Sequence, residues 1–340
     1  MGRLRVITRD NGAGLSRDLT IVADVLRAQH DVDTVGLGPH RVRNQLRQWW
    51  SRAACRLRGR FDAQLSLERI YAPTLACAAR NLLVPNPEWF QPGWVPLLPR
   101  FEQVLCKTRH AEALFAQLGC RTFYTGFTCT DRSDPSVPRE RAFFHLAGRS
   151  TAKGTAVLLD AWRRHPEWPT LTVVQRARHA RSQGGAHNIE VHAGYLDDAE
   201  LRRLQNAHRF HLCPSEAEGY GHSIAEAMSV GAVVLTTDAA PMNELVDAHC
   251  GLLLASTPGA PMGLTRRHHV AVSAIEEGVL HALRLSVREC AQLGDAARAR
   301  FLERDAAFRE RLAAALCDAP RYEPAIVSGI GVAPVAVGTP

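Results

Sequence analysis

The chain has 340 residues, 46% of them apolar and 22% charged, which suits one large or two ordinary globular domains and excludes a disordered chain. No apolar run approaches the roughly 18–20 residues of a membrane helix, and the first apolar run, Leu4–Thr8, is too short for a secretory core, so a cytoplasmic protein is expected. The net charge of +7 points to anionic partners (nucleotide phosphates, anionic lipid or nucleic acid) without choosing among them.

In chain order, strands are predicted at Leu4–Thr8, Asp33–Leu37, Ala63–Leu67, Asn81–Pro85, Gln103–Lys107 and Thr122–Thr125. A second series follows at Ala142–Ala147, Leu171–Gln175, Ile189–His192, Phe210–Pro214 and Val233–Thr237. Helical patterns lie between them at Arg17–Gln29, Ala111–Leu118, Ala156–Arg164, Ala199–Ala207 and Ser223–Val230. Strands alternating with helices imply parallel sheets built from βαβ units, and near-continuous apolar strands imply sheets covered on both faces. The polar, proline-containing stretch Thr130–Glu140 reads as a linker. It divides the chain into α/β domains at 1–130 and 141–303. A final helical stretch at about Ala291–Leu316 is expected to pack back, through about 304–318, on the first domain, and 320–340 is expected to be a disordered tail.

Nine scattered cysteines, an odd number with no CxxC pair, read as free, mostly buried thiols. With no HExxH or EF-hand loop, no metal is expected.

Chemistry concentrates in Cys213–Val246. A buried strand ends at Pro214-Ser215, a glycine-rich bend follows at Glu218-Gly219-Tyr220-Gly221, and a helix begins near His222–Ser223 with Ser223 as its cap. Amides at a helix start face an anion well, and glycines let backbone approach a ligand. Glu218 and Glu226 flank the bend with seven residues between them. In open parallel sheets a ligand sits beyond the carboxyl ends of the strands, which is where this segment lies.

Upstream, His145–Lys153 ends a strand at Gly148 and then presents Arg149 and Lys153, two cations suited to a diphosphate leaving group. Near the start, Gly12-Ala13-Gly14 follows the first strand like half of a dinucleotide fingerprint, with Arg17 where the third glycine would stand. Arg41–Phe61 carries seven arginines, no acidic residue and a Trp-Trp pair. On a helix Leu46, Trp49, Trp50, Ala53 and Leu57 share one face. That suits peripheral contact with an anionic membrane, nucleic-acid binding, or a core-packed helix with a solvated basic outer face.

With these residues in place, the sequence resembles glycosyltransferase family 4: Pro-Ser, then Glu-Gly-Phe-Gly, then Glu-Ala-Met eight residues after the first Glu. Here that pattern is Pro214-Ser215, Glu218-Gly219-Tyr220-Gly221 and Glu226-Ala227-Met228. The resemblance implies the GT-B fold, two Rossmann-like domains with parallel sheets facing a central cleft. It implies retaining transfer from a nucleotide-diphosphate sugar as co-substrate, with no other cofactor. Glu218 would contact the donor sugar and Glu226 the ribose. Gly14, Gly148, Gly219, Tyr220, Gly221, His222 and Ser223 would line the donor site, and Arg149 and Lys153 would meet the diphosphate.

The chain departs from the family in one respect. Between residues 41 and 109 it has no histidine, where many members place one near the reacting sugar. Glu68, Asn86 and Glu88 stand there instead, either lining the acceptor side or serving as loop caps and ion-pair partners. The implied acceptor is a glycan or lipid-linked glycan, which would place the protein at the inner face of a membrane. A DNA-modifying transferase and a non-catalytic nucleotide-sugar binder are the alternatives. A Rossmann dehydrogenase would need a complete GxGxxG, and an epimerase of the same fold would not be expected to carry the two-Glu motif.

Overall fold

The computed structural model describes residues 2–9, 14–38, 41–148, 150–176, 186–194 and 196–317. The expected tail at 320–340, Arg149, and the first glycine of the Gly12–Gly14 turn lie outside the described residues.

The first half is a six-stranded parallel sheet. Its elements are β1 (Arg3–Arg9), α1 (Gly14–Arg27), β2 (Asp31–Leu37), α2 (Arg41–Arg58), β3 (Phe61–Leu67), β4 (Ala78–Val84), β5 (Gln103–Cys106), α3 (Arg109–Gln117) and β6 (Thr122–Tyr124). Strand order is β2-β1-β3-β4-β5-β6, every pair parallel. The second half contains β7 (Glu140–Gly148), α4 (Thr155–Arg164), β8 (Leu171–Gln175), β9 (Ile189–Ala193), α5 (Asp198–Ala207), β10 (His208–Cys213), α6 (His222–Ser229), β11 (Val233–Thr237), α7 (Met242–Leu245) and β12 (Gly251–Leu254). These strands form a second parallel sheet, order β12-β11-β10-β7-β8-β9. Then come an antiparallel hairpin, β13 (Ser256–Met262) with β14 (Thr265–Val270), and two helices, α8 (Val272–Arg284) and α9 (Val287–Cys317).

Local chemistry explains where elements begin. α1 starts at Gly14 rather than Arg17, because Leu15 and Asp18 are both buried and one turn of helix brings them to the same face as Val22 and Leu26. α9 starts at Val287 rather than Ala291 because Ser286 and Glu289 cap it reciprocally: the Glu289 amide donates to Ser286 Oγ at 3.2 Å and the Ser286 amide donates to Glu289 Oε2 at 2.8 Å. Strands β8 and β11 are buried at every residue, as expected of sheets with both faces covered.

α9 buries Cys290, Gly294, Ala297 and Phe301 early and Phe308, Leu312, Ala315 and Leu316 late. Those late residues share a core cluster with Leu4, Val22 and Leu65 of the first half and with Ile224 and Met228 of α6. Arg80 on β4 donates to the Leu316 carbonyl at 3.0 Å. One helix therefore packs on both sheets. The segment between them is pinned as well: Arg132 pairs with Asp198 at 2.7 Å and donates to Gln205 at 2.9 Å. No described helix is long and apolar enough to cross a membrane.

Topology places the chemistry. Glu68 follows β3, Asn86 and Glu88 follow β4, Lys107 follows β5, Lys153 follows β7 and Glu218 follows β10. All six stand at carboxyl ends of strands, from both sheets.

Phe308 is fully buried and its ring lies 4.9 Å from that of Phe127, at the seam between α9 and the first sheet. Phe308→Ala is expected to lower stability by about 3–5 kcal/mol, measured by urea unfolding; an unchanged midpoint would show that α9 does not hold the halves together.

Candidate active site

A cavity of about 320 Å³ opens between the two sets of strand ends, lined from the first half by Gly14, Arg17, Glu68 and Glu88 and from the second by Lys153 and Glu218, among others. Gly148, Gly219, Tyr220, Gly221, His222, Ser223, Glu226 and Asn86 also border it. Every described candidate residue from the sequence thus reaches one cavity.

The Glu218–Ser223 bend depends on two glycines. Gly221 has φ of +105° and is the residue preceding α6, a backbone state that a side chain would strain. It is therefore the cap residue, and Ser223, expected there, falls inside the first turn. Ser223 Oγ instead accepts from Lys153 Nζ at 3.2 Å, and Lys153 also pairs with Glu218 Oε1. At Gly219 a Cβ would stand 2.6 Å from Asn86 Oδ1 and 2.8 Å from Glu88 Oε1. Only a bare backbone lets the two halves approach this closely.

His145, in β7, helps to fix the Lys153 loop. Its Nδ1 donates to the Leu212 carbonyl at 2.8 Å, which leaves Nε2 to accept from Thr155 Oγ1 at 2.9 Å. Burial pushes its pKa down to about 4, so it is neutral and structural.

Glu226 is nearly buried on α6. One oxygen accepts from Arg17 Nη1 at 2.6 Å and the other from Gln205 Nε2 at 2.7 Å. A carboxylate offers about four acceptor positions, so a diol can still bind there. Arg17 comes from α1, on the other side of the cavity. The residue that breaks the dinucleotide fingerprint is thus the one that reaches across to Glu226.

Asp18, also on α1, is with Lys107 the most buried charge of the site. Lys107 Nζ donates to its Oδ2 at 2.5 Å and His222 Nε2 lies 2.6 Å from its Oδ1. Burial raises the Asp18 carboxyl, but Lys107 and His222 more than offset that and hold it at about 2. Lys107 also donates to Asn86 Oδ1 at 3.0 Å, and Asn86 Nδ2 donates to Glu68 Oε2 at 3.1 Å. Asn86 and Glu68 are therefore tied into this network while still bordering the cavity. Glu68 holds a positive φ of 61°, strained for a residue with a Cβ, and burial raises its carboxyl.

Glu88 differs. It is 7% exposed, and its Oε2 is buried without a hydrogen-bond partner among the described residues. Burial, with the charges of Glu218 and Glu68, pushes its pKa up to about 8, against the opposing pull of its own backbone amide and Lys107. At neutral pH it is mostly a neutral acid that can donate a hydrogen bond into the cavity.

Tyr220 borders the cavity, yet it is buried and its ring packs 5.3 Å from Phe127 and 5.5 Å from His222. Among the described residues no cluster of side chains could hold a metal ion.

Three charged side chains at the cavity escaped the sequence reading as site residues: Arg17, Asp18 and Lys107. Lys107 alone carried a signal, as a lysine immediately after an apolar strand. A fourth contribution is Met262, from the β13–β14 hairpin. That hairpin is stapled across the cleft: the Leu264 amide donates to the Pro87 carbonyl at 2.9 Å, and His110 Nε2 lies 2.9 Å from Thr265 Oγ1.

Two facing parallel sheets with a cavity between their carboxyl ends define the GT-B architecture, and comparison with solved structures agrees. The HepE protein Alr3699 of Anabaena, solved with UDP and glucose, is 15% identical with a TM-score of 0.70, covering 94% of this chain and 100% of that one. Sucrose-phosphate synthase of Thermosynechococcus elongatus is 12% identical with a TM-score of 0.72, covering 93% and 98%. A glycosyltransferase of Rickettsia africae is 13% identical with a TM-score of 0.68, covering 93% and 98%. Residues 142–267 match the sequence profile of the family described as glycosyl transferases group 1. That stretch contains Lys153, Glu218 and Glu226. No curated protein sequence matches the chain.

The raised pKa of Glu88 has a consequence for stability. The group binds its proton more tightly folded than unfolded, so its contribution is fully present below the unfolded value near 4.5 and is lost as pH rises through about 8. Urea midpoints of the wild type and Glu88→Gln are expected to diverge between pH 5 and 8, the variant gaining relative stability as pH rises. A pH-independent gap would show that Glu88 is ionised in the folded protein.

Proposed function

We propose that the protein is a retaining glycosyltransferase of the family 4 type, moving a sugar from a nucleotide-diphosphate sugar to a hydroxyl of a glycan or lipid-linked glycan. The observation that carries this reading is the grouping, in one interdomain cavity, of Glu218, Lys153 and Ser223 at the start of α6, with Glu226 one turn further on. The group 1 profile spans these residues. The Anabaena protein of like fold has been solved with UDP and with UDP-glucose, which supports a nucleotide-sugar donor here.

In this reading the ribose hydroxyls donate to Glu226, whose remaining acceptor positions suit a diol. The diphosphate lies over the amides at the start of α6 and against Lys153, and Arg149, outside the described residues, is the second cation that the resemblance implies for it. Lys153 then exchanges part of its contact with Glu218 for phosphate oxygen, freeing Glu218 to accept from the sugar hydroxyls. The bond from C1 of the sugar to the diphosphate breaks, and the bond from C1 to the acceptor oxygen forms on the same face. The acceptor proton passes to the departing diphosphate oxygen. Negative charge grows on the diphosphate as its bond breaks, and cations with oriented amides in a closed site stabilise it best at that moment. This chemistry needs no cofactor, because the protein itself supplies the positive charge.

The acceptor enters past Glu68, Asn86 and Glu88. As a neutral acid, Glu88 presents a donor to a sugar oxygen where an ionised carboxylate would only accept. Asn86 and Glu68, held by Lys107, fix the wall opposite Gly219.

Release of nucleoside diphosphate from a panel of UDP-, GDP- and ADP-sugars tests the proposal. One donor is expected to turn over, slowly to water and faster with acceptor, and Glu218→Gln should reduce kcat roughly 10²–10³-fold. The product should keep the anomeric configuration of the donor. Absence of turnover with every donor, or full activity in the variant, would contradict the reading.

A further inference from the structure

Helix α2 is amphipathic in the inverse sense. The residues it turns toward the protein are Asn44, Gln48, Ser51 and Cys55, spaced along one helical face and all half-buried or buried. Asn44 Nδ2 donates to the Gly38 carbonyl at 2.6 Å, Arg5 donates to Ser51 Oγ, and Cys55 packs with Phe61, Cys77 and Ala78. The opposite face carries Leu46, Trp49, Trp50 and Leu57, which are 55%, 61%, 65% and 87% exposed. The reading of α2 as a core-packed helix with a solvated basic outer face therefore does not hold. The large apolar side chains point outward because small and polar residues make the contacts inward.

Four of the ten large apolar side chains that stand exposed among the described residues are on this one helix. Singly exposed apolar residues need no explanation, but a contiguous set on one face does. Basic side chains accompany it. Trp49, Arg52, Ala53, Arg56 and Leu57 line a surface groove of about 370 Å³, so two guanidinium groups stand at the edge of apolar walls. Between Asp33 and Asp62 the sequence holds seven arginines and no acidic residue. A field of one sign over an apolar strip has an obvious complement, a surface that is anionic at its boundary and hydrocarbon beneath.

We propose that the outward face of α2 docks the protein on an anionic lipid bilayer. Trp49, Trp50, Leu46 and Leu57 enter the boundary between headgroups and acyl chains, and Arg47, Arg52 and Arg56 meet lipid phosphates. Tryptophan suits that depth because its ring is apolar and its N–H stays near water. The aliphatic residues decide between lipid and nucleic acid. Duplex phosphates would satisfy the arginines but would leave Leu46 and Leu57 in water. The two indoles pack edge to face on each other, centroids 5.3 Å apart at 81°, rather than offering two open faces for bases. The inference is independent of the sugar-transfer reading, since it uses no residue of the cavity.

Co-sedimentation with vesicles tests it, comparing phosphatidylcholine alone with equal parts phosphatidylcholine and phosphatidylglycerol. The expected result is binding to the anionic vesicles only, weakened by salt, with a blue shift of tryptophan emission. Trp49→Ser/Trp50→Ser and Arg52→Glu/Arg56→Glu should each weaken binding roughly tenfold or more. Circular dichroism checks that the variants fold, and Leu57→Gln, at the most exposed of the four positions, provides a milder change. No binding to anionic vesicles, equal binding to neutral ones, or unchanged binding by folded variants would overturn the proposal. So would duplex DNA binding that the same variants abolish while vesicle binding persists.

Discussion

A carboxylate that is 3% exposed cannot remain ionised without partners, and Asp18 takes its partners from both halves of the molecule. Lys107 comes from the end of a first-sheet strand and His222 from the start of a second-sheet helix. A buried ion pair is a weak source of net stability, because lost hydration offsets the attraction. Removing one partner is another matter, since a charge left alone in the interior costs about 3–5 kcal/mol. The strand ends are thus held where they are by a set of groups that cannot part singly. Arg17 and Glu226 repeat the pattern nearer the surface.

The cavity inherits its chemistry from this arrangement. Lys107 engages Asn86, and Asn86 engages Glu68, so the wall after β3 and β4 is fixed by hydrogen bonds that begin at Asp18. Burial above all raises the pKa of Glu88, helped by the charges of Glu218 across the cavity and of Glu68 in the same wall. Gly219 gives the opposite wall room to come close. The β13–β14 hairpin closes the side, reaching from the second half to the backbone of Pro87. A ligand with a diphosphate, a diol and a sugar would find cations and amides, an accepting carboxylate, and a mixture of donors and acceptors in that order.

Much of the fold was legible because buried parallel strands are simple signals. Runs such as Leu171–Gln175 and Val233–Thr237 are mostly apolar and β-branched, and the structure buries every residue in them. The hairpin was not legible. Its first strand, Ser256–Met262, contains two prolines and a glycine, which argue against a sheet interior. They are tolerated because the strand has a single partner. Glycine spacing and paired carboxylates marked the second-half side of the cavity. Arg17 and Asp18 were harder to find, because their place in the site depends on side chains roughly ninety to two hundred residues away, which no local pattern encodes, and Lys107 showed only as a lysine at the end of an apolar strand. In α2 the apolar stripe was plain, but a stripe has two readings, and only the packing of Ser51 and Cys55 shows which way it faces.

In the function proposed above, the cavity between the strand ends binds a nucleoside diphosphate. Calorimetric titration of UDP, GDP and ADP into the wild type and Glu226→Ala measures this directly, without an acceptor and without chemistry. One nucleotide is expected to bind, and the variant should weaken it roughly tenfold to a hundredfold through loss of hydrogen bonds to a charged group. Absence of heat with all three nucleotides, or equal affinity in a folded variant, would contradict the account.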